Sequence, residues 1–219
     1  RLFTKRRWSA RRARGAMTED SLIEREGTVD KSDFDLIFEF KKGNEQAFDA
    51  LVKRHMNKAV QLAYAVLGNY EDAKDASQEA FVKIYGALKD FKMQSKFSTW
   101  LYRILLNTAK DFLRQRNWKK FLHWDKKESM EQFFEQVQDE RRASPGKELL
   151  GQELNQKIAA AISKLPFKQQ CVFTLRFVEG LSLQEIGEAT GLREGSVKAT
   201  LHFAVQKFKG SLFPYLREG

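Results

Sequence analysis

The chain has 219 residues, 42% of them hydrophobic, and carries a net charge of +10. That is enough for one large or two small cored domains. It excludes a disulfide scaffold, because Cys171 is the lone cysteine, and no apolar run approaches the length of a membrane span. The charge is unevenly placed: residues 1–16 hold seven Lys or Arg and no acid, and without these seven the net charge falls from +10 to +3. Binding to a polyanion therefore has to be argued from patches rather than from the total.

The basic head suits a transit peptide or a nucleic-acid-binding arm. The plainer expectation for 1–32 is a disordered basic and polar extension, with Met17 as a candidate natural start or the head as a cloning remnant. Proline is scarce and strand-like alternation nearly absent, so the fold class expected is all-α. Helices are expected over Asp33–Lys42, Glu45–Leu67, Glu71–Lys89 and Ser98–Trp118, with a loop at Asp90–Ser98. In the second of these, His55 falls on the apolar face and is read as a packed core residue. Residues 119–146 mix both charges without a clean period and read as a flexible linker. Ser144-Pro145 then starts a second helical domain over 147–216, with helices at Lys147–Lys164, Phe167–Glu179, Leu183–Thr190 and Glu194–Leu212.

Leu181–Lys209 is the most informative stretch. Ser182 and Glu185 form a capping box that starts a helix. Gly191 ends it, since glycine takes a left-handed backbone without steric cost. The helix after it carries Val197, Leu201, Ala204 and Phe208 on one face. Arg193 precedes it, and Ser196, Lys198, Ala199, His202 and Phe203 lie on the other face. Two short helices around a glycine turn, the second amphipathic and basic, form a helix-turn-helix. The alternative is an ordinary helical hairpin inside an all-α core.

Two further stripes stand out. Asp72, Asp75 and Glu79 share a helix face with Gln78 and Lys83 beside them; this is either solvated surface or a docking face for a basic protein. Arg103, Asn107, Lys110 and Arg114 line one side of the next helix, with Arg116, Lys119 and Lys120 beyond. Such a stripe can follow a phosphate backbone. The loop before it sets Lys92, Gln94, Ser95 and Lys96 between aromatics, a setting able to receive unstacked bases. Phe97 and Trp100 fit the core better. The three histidines are scattered, no spacing fits a metal, and no phosphate loop or nucleophile elbow is present, so no enzyme, metal or cofactor is expected. Cys171 is expected to be buried and inert.

Taken together, GNEQAFDALVKRH at Gly43–His55, YEDAKDASQEAFVKIY at Tyr70–Tyr85, FSTWLYRILLNTAKDFLR at Phe97–Arg114 and Leu165–His202 resemble bacterial RNA polymerase sigma factors of the extracytoplasmic-function (ECF) group. The resemblance implies a region 2-like domain at 33–118 and a region 4-like helix-turn-helix domain at 147–216. It implies that Asp72, Asp75, Gln78, Glu79 and Lys83 meet the β′ clamp helices of core RNA polymerase. Gln94, Ser95, Lys96, Arg103, Asn107, Lys110 and Arg114 would read the −10 element of promoter DNA. Arg193, Ser196, Lys198, Ala199, His202 and Phe203 would read the −35 element, and the opposite side would meet the β flap. The expected protein is cytoplasmic, without membrane insertion, and an anti-sigma factor is an expected further partner. The chain departs from common members at Thr200 and Phe203, where arginines are frequent, and at Gly187, where alanine is frequent. The other reading is a stand-alone helix-turn-helix regulator that binds DNA without polymerase.

Overall fold

A computed structural model of the chain describes residues 31–122 and 157–216, with side chains placed over 31–116 and 157–212. The basic head at 1–30 and most of the expected linker lie outside the described residues. Every regular element among the described residues is helical. We number them α1 (Asp33–Lys41), α2 (Glu45–Leu67), α3 (Tyr70–Ala87), α4 (Phe97–Leu122), α5 (157–163), α6 (Phe167–Phe177), α7 (Leu183–Thr190) and α8 (Glu194–Leu216).

The ends of these helices are set locally. Asn44 and Asn69 cap α2 and α3, accepting from the backbone N–H groups of Gln46 at 3.1 Å and Asp72 at 2.8 Å, and so satisfy donors that the first helical turn leaves free. Helix α4 begins one residue before its expected start and runs four past its expected end, while α6 stops two residues short. A 3-10 turn at Leu88–Asp90 separates α3 from the loop that leads to α4.

Helices α1 to α4 form the first packed group. Leu51, Leu62, Ala76, Ala80, Ile84, Leu101 and Leu105 are fully buried in it. Alanine on the buried face of α3 lets α2 and α4 approach closely. His55 is buried, as its place on the apolar face implied. Its partner was not legible: Nε2 donates to Asp33 Oδ2 at 2.9 Å, and Arg54 holds the other oxygen at 2.8 Å. Burial works to raise the Asp33 carboxyl, but the hydrogen bonds from His55 and Arg54 outweigh it and hold the group below its ordinary value. The start of α1 is thereby fixed to the middle of α2.

Helices α6 to α8 form the second group. Val172, Leu175, Ile186 and Val197 are fully buried, and Ile162, Leu165, Phe173 and Ala204 form a smaller cluster under α5 and α8. The two groups are not separated in space. Helix α6 packs on α2, α7 packs on α4, and a single apolar cluster runs from Leu36 to Val197. Cys171 lies in that cluster, and burial pushes its thiol up to about 12, which makes it a poor nucleophile.

Candidate nucleic-acid and polymerase interfaces

The helix-turn-helix is built as its sequence dictates. Ser182 Oγ accepts from the Glu185 backbone N–H at 3.2 Å, and Glu185 Oε2 accepts from the Ser182 N–H at 2.8 Å. Gly191 sits at φ 73° and its N–H closes on the Gly187 carbonyl at 2.8 Å. Gly187 has a role of its own. A Cβ there would lie 2.8 Å from the Leu192 carbonyl oxygen, so alanine would push the turn open. The departure from alanine is matched to a tight turn in this chain.

Helix α8 presents its two faces as the periodicity implied. Val197 and Ala204 are fully buried, and Leu201 and Phe208 half-buried. Arg193, Ser196, Lys198, Ala199, His202 and Phe203 are all exposed. Two polar members are held by their own helix: Lys198 pairs with Glu194 at 2.7 Å, and His202 shares a hydrogen bond with Gln206 at 2.9 Å.

The loop before α4 is pinned at both ends and projects between. Its Phe91 ring stacks on Trp100 with centroids 4.5 Å apart, and its carbonyl accepts from Lys41 Nζ at 2.6 Å. At the other end Phe97 is buried edge-on against His55. Trp100 is only half-buried, covering the core rather than filling it. Met93 adopts φ 55°, a left-handed conformation that costs a side-chain-bearing residue about 1 kcal/mol or more. Gln94 and Lys96 are exposed and Ser95 half-buried.

Along α4, Arg103, Asn107, Lys110 and Arg114 are exposed on one side. Arg116 does not continue this stripe. It donates to the Leu67 carbonyl at 3.0 Å and lies 3.5 Å from Asp72, tying α4 to the α2–α3 turn.

The acidic face of α3 is likewise exposed at Asp75, Gln78, Glu79 and Lys83, with Asp72 half-exposed. Lys83 pairs with Glu79 at 2.8 Å and donates to Thr108 on α4 at 3.0 Å. Among the described residues Asp75 forms no ion pair. Beside these charges lie Val82, 63% exposed, and Tyr85, 45% exposed. The sequence reading passed over both. Their spacing from Gln78 along the helix was the available signal.

Two family models match these same segments: sigma-70 region 2 over residues 51–119 and sigma-70 region 4 over residues 155–208. The ECF RNA polymerase sigma factor SigW of Bacillus subtilis is 36% identical over 76% of this chain and 89% of its own length. The chain is a member of the ECF sigma factor family. The RNA polymerase sigma-H factor of Pseudomonas aeruginosa is 33% identical over 86% of this chain and 97% of its own. The ECF sigma-E factor of Escherichia coli K12 is 32% identical over 83% and 95%. Among solved structures, CnrH in complex with the cytosolic domain of CnrY aligns over 84% of this chain and 99% of its own, at TM-score 0.61 and 27% identity. RpoE of Bartonella quintana, solved with the anti-sigma factor NepR, shares the fold at TM-score 0.59 and 17% identity. A member of this family is a transcription initiation factor, not an enzyme: it binds core RNA polymerase and directs it to promoters. No helix among the described residues is long and apolar enough to cross a membrane.

Proposed function

We propose that the family's tasks are divided over four surfaces of this chain, within a region 2-like unit at 33–118 and a region 4-like unit at 147–216. The α3 face of Asp72, Asp75, Gln78, Glu79 and Lys83 docks on the β′ clamp helices. Val82 and Tyr85 add the apolar centre that a stable docking face needs. The loop of Gln94, Ser95 and Lys96 captures a base of the −10 element. Arg103, Asn107, Lys110 and Arg114 hold the strand it belongs to. Arg193, Ser196, Lys198, Ala199, His202 and Phe203 read the −35 duplex, and the far side of α6 to α8 meets the β flap. The protein works in the cytoplasm, needs no cofactor, and is held by an anti-sigma factor, as RpoE of Bartonella quintana is by NepR.

The observation that supports this reading is that three sets on different elements are exposed at every member but the half-buried Asp72 and Ser95, while the apolar residues between them are buried. Each DNA face alone offers few contacts. Polymerase holding both makes the second contact intramolecular, and trapping an unstacked base drives melting against a cost of a few kcal/mol. Family membership favours this over a stand-alone regulator.

The test is transcription from genomic fragments by core polymerase with and without the chain. Specific start sites that need the chain, and that are lost when Asp75 and Glu79 are replaced by lysine, are the expected result. Specific binding by the chain alone, with no gain on adding polymerase, would return the reading to a stand-alone regulator.

A further inference from the structure

The loop before α4 holds a backbone conformation that its own residue does not favour. Among the described residues, the positive φ angles belong to glycines, with the single exception of Met93 at 55°. Lys92 to Lys96 run between two buried aromatic anchors, Phe91 and Phe97. Both anchors lie against the Trp100 ring, with centroids 4.5 and 6.2 Å away, so the chain must turn back within that short span. Its ends are fixed: Lys41 donates to the Phe91 carbonyl, and the Lys96 carbonyl accepts from the Trp100 N–H at 3.2 Å. Met93 makes the turn. Glycine or asparagine would make it at lower cost. What methionine adds is a side chain that reaches inward. Met93 is half-buried and packs on the apolar cluster, while Lys92 and Gln94 on either side of it are exposed.

We propose that Met93 is a positioning residue of the −10 reader: its side chain pins the turn of the loop to the core and so fixes the direction in which Gln94 and Ser95 project. It acts without touching the base. A strained backbone persists only where its surroundings hold it, and such strain gathers at sites that need a set geometry. Methionine suits the task. Its unbranched thioether fills an irregular gap, and it lacks the β-branching that a left-handed backbone resists. With the pin in place, the pocket is formed before the base arrives. Without it, the loop samples several arrangements and capture must first select the competent one. A promoter that lacks the preferred base gains nothing from the pocket, so this penalty falls on the preferred base alone. Met93 is therefore read out as discrimination between bases, not as affinity for polymerase. The proposal rests on the −10 assignment made above.

The test uses the full chain with core polymerase and a promoter pool randomised over the −10 element. Sequencing the transcripts gives the base preference at each position. Met93→Asn accepts the left-handed turn but removes the apolar pin, and Met93→Leu keeps the pin. The asparagine variant should flatten the preference at one −10 position about fivefold, as when the competent loop falls to about a fifth of its population. The leucine variant should keep the original preference. Polymerase affinity should be unchanged in both. The preference is a ratio, so it does not depend on how much of a variant folds. An asparagine variant that loses output equally on every sequence, with its preferences intact, overturns the positioning role. A leucine variant that loses preference as fully as asparagine overturns the pin. Replacing Gln94, Ser95 and Lys96 by alanine separates this proposal from the reading beneath it. Preferences altered there but intact in Met93→Asn refute the role of Met93 alone. Preferences intact in both refute the −10 assignment as well.

Discussion

The two candidate DNA faces differ in who holds their charges. On α8 two of the polar readers are held by a neighbour one turn away: Lys198 by Glu194, His202 by Gln206. On the −10 face the loop cation is held from the other half of the molecule, Lys96 by Glu185. Local partners are given up at the side-chain level, so the −35 face is ready whenever its helix is folded. On the −10 face Lys96 has instead to give up a partner on α7.

The comparison can be broken most severely through the shared core. Ile186 is fully buried where α7 meets both its own group and α4. Ile186→Ala should cost about 2–5 kcal/mol. Because the apolar cluster is continuous, thermal unfolding should remain a single transition. Two resolved transitions by calorimetry would mean the groups fold as independent units.

Gly187→Ala comes next. Its Cβ would sit 2.8 Å from the Leu192 carbonyl oxygen, and relief requires a backbone shift costing about 1–3 kcal/mol. The loss should fall on −35-dependent promoters before −10 contacts, because the turn sets the angle of α8. Equal stability in a chemical denaturation series would show that the turn relaxes without strain.

A smaller effect is expected from pH. The Lys96 hydrogen bond, followed by those of the capping box, holds the Glu185 carboxyl at about 2 against its ordinary 4.5. A depressed carboxyl contributes fully above its unfolded value and loses that contribution as pH falls through the folded one. The Lys96–Glu185 contact should therefore be constant at neutrality and weaken as pH falls between 4.5 and about 2. His55, Lys58, Lys96 and Glu179 line the same cleft, so Glu185→Gln is the control that isolates this group. Acid unfolding that runs identically in the two chains would remove Glu185 from the pH dependence.

The smallest structural effect should come from α8. Lys198→Ala should change stability by under about 0.5 kcal/mol. It should also lower the salt slope of promoter binding by about one, as the loss of one phosphate contact does. An unchanged slope would place Lys198 off the backbone.

What could be read from the sequence was whatever depends on neighbours along the chain. The capping box of Ser182 and Glu185, the stop at Gly191 and the rotation of α8 follow from spacing alone, and so do the exposed faces of α3 and α4. Val82 and Tyr85 were missed although their spacing from Gln78 was local, but most other misses concern partners distant in sequence. His55 was recognisable as buried, but Asp33 lies 22 residues away. Arg116 looked like the end of a basic stripe because nothing in its helix shows that the Leu67 carbonyl waits 49 residues earlier. Glu185 was read as a helix cap, and its second oxygen, on Lys96, cannot be inferred from periodicity. Gly187 looked like a departure from pattern until the Leu192 carbonyl was seen beside it.

The division of labour between loop and helix is tested most directly by photo-crosslinking in the polymerase–promoter complex. A photoreactive phenylalanine analogue would replace Gln94 in one chain and Phe203 in another, both exposed positions. The account predicts that the Gln94 position crosslinks to the non-template strand of the −10 element once the promoter is open, and Phe203 to duplex at the −35 element before and after opening. Crosslinks from both positions to the same DNA segment, or from Gln94 to duplex alone, would contradict it.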